Sequence, residues 1–192
     1  MHTFERLNVF SLTTLAKPLA LAVLLLPSMA VAESTPEASL TLASNQIASP
    51  QLMPLEQVGR TQMRWLWFNL YEAKLYTQSG SYELNQWPLS LELIYQRSIK
   101  AKYLIEGTKR EWSRQNIEYN PKWLDELANL WPDVALDDKI ILYVDDQANS
   151  HFYFNDEFLG SLEDPLFAPA FTAIWLSENT IKPQQRNQLI GL

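Results

Sequence analysis

The stretch that decides the fold is FYFNDEFLGSLEDPLFAPAFTAIWL, residues 152–176. It begins inside a β-rich run, His151 to Phe154, and continues into a second run, Glu157 to Leu162, which pivots at Gly160. Asp164-Pro165 then predicts the start of a helix, because aspartate caps a first turn and proline is preorganised for it. The apolar positions of this helix are Phe167, Ala170, Phe171, Ile174, Trp175 and Leu176.

Three further runs upstream have strand character. Residues 89–95 read LSLELIY, and the apolar recurrence at every second position predicts a half-buried strand. Lys139 to Val144 is equally β-rich, and Gln62 to Thr77 predicts one long strand that ends before a turn at Ser79-Gly80. Strands joined by short turns predict an antiparallel sheet.

Three more helices complete the predicted domain. Apolar residues from Ala101 to Trp112 follow the i, i+3, i+4, i+7 spacing, and Ser98 is the expected cap. Asn120-Pro121 opens another helix that Pro132 ends, and a short last helix covers Gln184 to Ile190. The predicted fold class is α+β, an antiparallel sheet covered on one face by a layer of helices.

The N-terminal residues predict an exported precursor. The apolar run from Leu19 to Leu26 is far shorter than the roughly 20 residues of a membrane-spanning helix. Ala30-Val31-Ala32 supplies the small-x-small pattern of a cleavage site. We therefore expect a signal peptide over residues 1–32, cleaved after Ala32, a flexible linker over 33–54 and one domain over 55–192. The expected location is the periplasm, and no membrane span is expected.

The composition excludes several classes of function. A net charge of −7 argues against a nucleic-acid partner, and also against binding to anionic membrane surfaces. Five glycines and no phosphate loop argue against nucleotide binding. His151 would be the one histidine left after processing and there is no cysteine, so no zinc site is expected. We expect His151 to lie exposed on its strand, and we expect no metal and no cofactor.

Two stretches resemble the chalcone-isomerase-like family in its bacterial, exported form. The first is RWLWFNLYEAKLY, residues 64–76, which is similar to the family pattern Arg-x-x-Gly-Phe-x-Val-Tyr-Asp-Ala-x-Leu-Tyr. The second is Phe152 to Leu176, with Asn155, Gly160 and Asp164 in family-like positions. The resemblance implies an open-faced β-sandwich with a ligand cleft between sheet and helices. Plant members cyclise chalcones, and other members resemble fatty-acid binders.

The resemblance and the strand pattern together give four candidate site residues. Tyr71 falls where the plant enzymes place a threonine near the substrate carbonyl, and Tyr103 corresponds to their active-site tyrosine. Their arginine falls near Arg60 or Arg64. Arg97 continues the odd-numbered apolar face of residues 89–95, which makes it an alternative cation for a ligand head group. The candidates for ligand binding are therefore Arg64, Tyr71, Arg97 and Tyr103.

Strand geometry places a condition on these candidates. In an unbroken strand Arg64 and Tyr71 point to opposite faces, so they converge only if a bulge intervenes near Asn69. Two positions also depart from the family pattern, since Trp67 replaces a glycine and Arg110 falls near an asparagine of the plant enzymes.

Three hypotheses for the function follow. The favoured one is a periplasmic, non-catalytic binder of a small amphipathic ligand such as a fatty acid. The alternatives are an intramolecular lyase or isomerase acting on an enone of the chalcone type, and a cell-envelope protein that binds a partner. The first is favoured because the motifs specify packing better than they specify chemistry.

Overall fold

The computed structural model describes residues 53–65 and 67–192. The expected signal peptide and residues 33–52 of the expected linker lie outside this description. Within it, six strands form one antiparallel sheet in the order β1-β2-β3-β4-β5-β6. The strands are β1 Glu56–Trp65, β2 Phe68–Thr77, β3 Leu89–Tyr95, β4 Lys139–Val144, β5 Ser150–Phe154 and β6 Glu157–Leu162. The helices are α1 Ala101–Arg114, α2 Lys122–Leu130, α3 Phe167–Leu176 and α4 Pro183–Leu189.

The core lies between the sheet and the helices. The four odd-numbered residues of β3 are buried while the even-numbered ones are partly exposed, as the period-two pattern predicts. They share one apolar cluster with Trp112 of α1, Leu127 of α2 and Phe171 of α3. The predicted α+β class, with helices over one face of an antiparallel sheet, is confirmed.

The prediction of one strand from Gln62 to Thr77 is wrong. β1 begins earlier, at Glu56, and the chain reverses between Trp65 and Phe68, so that β1 and β2 form a hairpin. The turn contains neither glycine nor proline, and the β-rich composition continues through it, so the sequence shows no break there.

The N-terminus of α1 is capped by a residue distant in sequence rather than by Ser98. The backbone N–H of Ala101 donates to Asp133 Oδ1 at 2.8 Å, and Lys100 Nζ donates to Asp133 Oδ2 at 2.8 Å. Asn120 acts as predicted for α2, because its Oδ1 accepts a hydrogen bond of 3.1 Å from the N–H of Lys122. The contacts of Asp133 tie the start of α1 to the segment between α2 and β4.

The last helix, α4, lies against the first strand. Gly59 of β1 faces the backbone carbonyl groups of Gln188 and Leu189, and Thr61 Oγ1 donates to Gln188 Oε1 at 2.6 Å. None of the helices in the described part of the chain is long and apolar enough to cross a membrane.

Candidate functional site

A cavity of about 530 Å³ lies between the sheet and the helices, at the end of β3 that leads into α1. Its walls come from the sheet and from two of the helices, α1 and α3. The sheet contributes Met63, Leu70, Tyr71, Leu93 and Tyr95, α1 contributes Tyr103, Leu104, Gly107 and Thr108, and α3 contributes Ile174 and Trp175. The volume is within the range of about 300–1,000 Å³ that is usual for small-molecule sites.

All four residues that the sequence singled out line this one cavity: Arg64, Tyr71, Arg97 and Tyr103. The two arginines and Tyr103 are exposed, so they lie at the mouth of the cavity, whereas Tyr71 is partly buried. The structure therefore brings the candidates together. That they bind a ligand remains a prediction.

The register of the β1–β2 hairpin is irregular beside the cavity. Met63 pairs with Tyr71 but the next residue, Arg64, pairs with Asn69, so Leu70 has no partner of its own. This irregularity breaks the alternation of side chains in β2, and the adjacent residues Leu70 and Tyr71 both line the cavity. The condition stated for an unbroken strand does not apply to Arg64 and Tyr71, because they lie on the two different strands of the hairpin.

Tyr71 presents a neutral hydroxyl to the cavity. Its Oη accepts a hydrogen bond of 2.9 Å from Trp175 Nε1, and its ring packs against Tyr95 with centroids 5.7 Å apart. Burial, supported by the negative charge of Glu111, raises the pKa of Tyr71 to about 12. Burial also raises the pKa of Tyr95 strongly. Both hydroxyls thus keep their protons at neutral pH, and no described residue accepts the proton of Tyr71.

The mouth of the cavity has an excess of positive charge. Among the charged side chains that line the cavity, five are basic and only Glu111 is acidic, and Glu111 forms an ion pair of 2.9 Å with Arg114. Lys100 is paired with Asp133, but no salt bridge among the described residues joins Arg64, Arg97 or Lys182 to a carboxylate. The basic side chains are Arg64, Arg97, Lys100, Arg110 and Lys182. These charges favour an anionic group at the mouth.

Three residues at the cavity were not foreseen from the sequence. Ile181 and Lys182 come from the segment between α3 and α4, which has no periodic pattern to mark it. Trp131 is buried, lines the cavity, and has an indole N–H with no hydrogen-bond partner among the described residues. Trp175 was expected on the apolar helix, and the structure places it in the cavity wall.

A second depression, between the connection from α1 to α2 and helix α3, has a different character. Its volume is about 690 Å³, and it is lined by Glu118, Asn120 and Asp164 together with apolar and aromatic side chains. None of the described residues that line it is a lysine or an arginine. The excess of positive charge is therefore a property of the first cavity.

The expectation that His151 is exposed is wrong. The side chain is buried on the sheet face opposite the helices, where Nδ1 lies 2.6 Å from Ser161 Oγ and Nε2 lies 3.2 Å from Asp145 Oδ2. The turn after β4 folds back over the ring, and Tyr143 stacks on it. Strand periodicity predicts which face of the sheet a side chain lies on, but not that a turn such as the one at Asp145 covers that face. These contacts lie outside the cavity and tie β4, β5 and β6 together.

Asp145 gives this turn a pH-dependent contribution to stability. Burial pulls its pKa upward, but hydrogen bonds from Asn149, His151 and the backbone outweigh that effect and hold the pKa below its ordinary value. A carboxyl whose pKa is lowered by folding stabilises above the unfolded pKa, about 4, and loses this contribution as the pH falls through the folded pKa. We expect Asp145→Asn to cost about 1 kcal/mol at pH 7, since solvent partly screens the carboxylate.

Denaturant unfolding at a series of pH values measures this contribution. The gap between Asp145→Asn and the unsubstituted protein should close as the pH is lowered below about 4. Asp146→Asn, at the exposed neighbouring position, is the control and should have no effect. A gap that stays constant down to low pH would contradict this account.

Comparisons with known proteins agree with this geometry. The structure superposes on the crystal structure of an Arabidopsis thaliana fatty-acid binding protein with a TM-score of 0.53. The match covers 73% of this chain and 86% of that chain, at 10% sequence identity. The fold is therefore chalcone isomerase-like, an open-faced antiparallel sheet with a helical layer.

The sequence itself identifies a relative. Over 138 residues the chain is 30% identical to an uncharacterized protein of Haemophilus influenzae (strain Rd). This alignment covers 71% of this chain and 68% of the relative. The chain belongs to the same family as that protein. No family model matches the chain.

Proposed function

We propose that this protein is a non-catalytic binder of a small anionic amphipath such as a fatty acid. The observation that supports this proposal most directly is the cavity, which has apolar walls and a basic mouth. At the mouth, Arg64, Arg97 and Lys182 have no carboxylate partner among the described residues. An alkyl chain would occupy the apolar interior while its carboxylate meets these cations. The superposed Arabidopsis protein is a fatty-acid binding protein, which supports the proposal through the shared fold.

The proposed location is the periplasm. The support comes from the sequence, since the apolar run from Leu19 to Leu26 and the motif Ala30-Val31-Ala32 have the form of a signal peptide. N-terminal sequencing of protein recovered from the periplasm tests this proposal. A mature chain that begins at Glu33 is expected, and retention of the full chain in the cytoplasm would contradict it.

Native mass spectrometry with lipid extraction tests the ligand class directly. Protein purified from cells should carry an acyl ligand at one per chain, or take up dodecanoate when it is added. A protein that stays empty at every dodecanoate concentration would refute the proposal.

The two arginines at the mouth should contribute most of the head-group affinity. The double variant Arg64→Gln, Arg97→Gln is expected to weaken dodecanoate binding by about tenfold, because it removes two charge-assisted hydrogen bonds at a partly solvated site. Isothermal titration calorimetry with dodecanoate measures the change.

Arg60→Gln is the matched control for this variant. Arg60 is exposed on the same strand as Arg64 and lies 3.9 Å from Glu72, but it does not line the cavity. The control should keep the full affinity. An equal loss in the control and in the double variant would show that only long-range charge matters, and no loss in the double variant would remove the arginines from the site.

A further inference from the structure

The exposed aromatic residues of the described chain gather at one place. Of the large apolar side chains that are exposed, three are aromatic: Trp67 at 78% exposure, Tyr103 at 55% and Phe68 at 47%. Trp67 and Phe68 lie at the turn between β1 and β2, directly between Arg64 and Leu70 of the cavity lining. Tyr103 itself lines the cavity. All three therefore lie around the mouth.

This rim is assembled from separate parts of the chain. Phe68 lies under the guanidinium group of Arg97, 5.2 Å from the ring centroid, which ties the hairpin turn to the cavity. Ile181, 57% exposed, joins from the segment before α4. We call Trp67, Phe68, Tyr103 and Ile181 the apolar rim. Elsewhere in the described chain, exposed apolar side chains such as Leu84 and Leu136 are aliphatic and lie outside the cavity lining.

The charge around the rim is positive although the whole chain is acidic. Arg64, Arg97 and Lys182 lie at the mouth, and Lys102 Nζ lies 4.9 Å from the centroid of the Tyr103 ring. Tryptophan and tyrosine with neighbouring lysine and arginine are the residues that proteins place at the interface between water and anionic lipid. The net charge of −7 predicts no such attraction, but over a Debye length of about 10 Å the local charges decide.

We propose that the apolar rim docks on the surface of an anionic phospholipid bilayer, with the cavity mouth facing the lipid. The inference rests on the proposed function, since docking there lets an amphipath pass between bilayer and cavity without crossing water. Trp67 and Phe68 enter the interfacial layer, and the surrounding cations contact lipid phosphates. Binding of this kind is reversible and weakens with salt, because it combines a small apolar area with electrostatic attraction.

A single-site label tests the docking geometry. Because the chain contains no cysteine, Trp67→Cys and Leu84→Cys in the full chain each give one site for an environment-sensitive NBD label. We expect the label at position 67 to brighten and shift to shorter wavelength on phosphatidylcholine vesicles that contain phosphatidylglycerol. The response should fall with added salt, and the label at position 84, equally exposed but outside the rim, should not respond.

Vesicle flotation tests the contribution of the side chains. The variant Trp67→Ser, Phe68→Ser should lose about tenfold in partitioning to the same vesicles, while Leu84→Ser should partition like the unsubstituted protein. Every variant has the same N-terminal residues before position 53, so the contribution of those residues to flotation is common to all of them.

Three results would overturn the docking proposal: no response at position 67, an equal response at positions 67 and 84, or a label at 67 that is already shielded before vesicles are added. The last result would show that another part of the chain or a second copy covers the rim. Dodecanoate binding, measured on the same preparations by native mass spectrometry, separates the two proposals. A protein that carries an acyl ligand or takes up dodecanoate but gives no vesicle response refutes docking alone. A rim-dependent vesicle response by a protein that carries no acyl ligand and takes up no dodecanoate supports docking and refutes the proposed function.

Discussion

Replacing Gly107 with tryptophan is expected to lower dodecanoate affinity by about a hundredfold while the protein stays folded. Gly107 lines the cavity, and a Cβ atom built there meets no atom within 4 Å. Its neighbours along α1 also line the cavity, namely Tyr103, Leu104, Thr108 and Glu111. Since positions three and four apart share one face of a helix, a side chain at position 107 projects into the cavity and excludes an alkyl chain.

The fold should tolerate this change. Glycine is a poor helix former, so replacement with tryptophan in α1 gains about 0.5 kcal/mol in helix propensity, and no described atom must move to admit the first carbon. Calorimetric titration with dodecanoate and a thermal melt measure both effects. Lys109→Trp, on the exposed side of the same helix, is the matched control. If Gly107→Trp bound dodecanoate like the unsubstituted protein, the ligand would not occupy this cavity.

Replacing Gly59 with alanine is expected to destabilise the domain by about 3 kcal/mol. A Cβ atom at this position would clash with the backbone oxygen of Gln188 and lie 2.6 Å from that of Leu189. These are backbone atoms, so relief requires α4 to move away from β1, and that movement would uncover Leu189, which is fully buried in the core. Urea unfolding monitored by circular dichroism gives the change in the free energy of unfolding.

Gly107→Ala is the control for this effect, because it adds the same methyl group where space is open. That variant should be as stable as the unsubstituted protein or slightly more stable. A Gly59→Ala variant with unchanged stability would show that α4 does not pack on β1 as closely as described.

Three strands could be predicted with accurate bounds: β3, β4 and β6 begin and end at the predicted residues. β3 was marked by the alternation of buried and partly exposed side chains. β4 and β6 were marked by their β-rich composition. The β1–β2 hairpin was missed because its turn contains neither glycine nor proline, the residues that most often indicate a turn. The cap of α1 was missed because Asp133, its partner, lies 32 residues along the chain from Ala101. Local sequence cannot specify a contact of that separation.

In the candidate site, too, the features encoded in local sequence could be predicted and those that depend on distant contacts could not. Four residues of the cavity lining could be named from the sequence: Arg64, Tyr71, Arg97 and Tyr103. They could be named because strand parity and a family resemblance can both be recognised in a short stretch of sequence. The irregularity at Leu70 could not be placed from the sequence, since it depends on how β1 and β2 pair in a hairpin that was missed. Lys182 could not be found at all, because its position at the mouth results from the path of the chain after α3.

The packing of α4 on β1 has a consequence for the order in which the domain is completed during synthesis. β1 is the first strand of the described residues and α4 is their last helix, so a strand that leaves the ribosome early packs against a helix that leaves it late. Until Leu189 has left the ribosome, the strand that carries Arg64 lacks one of its neighbours. The packing of β1 is therefore completed only after α4 has been synthesised.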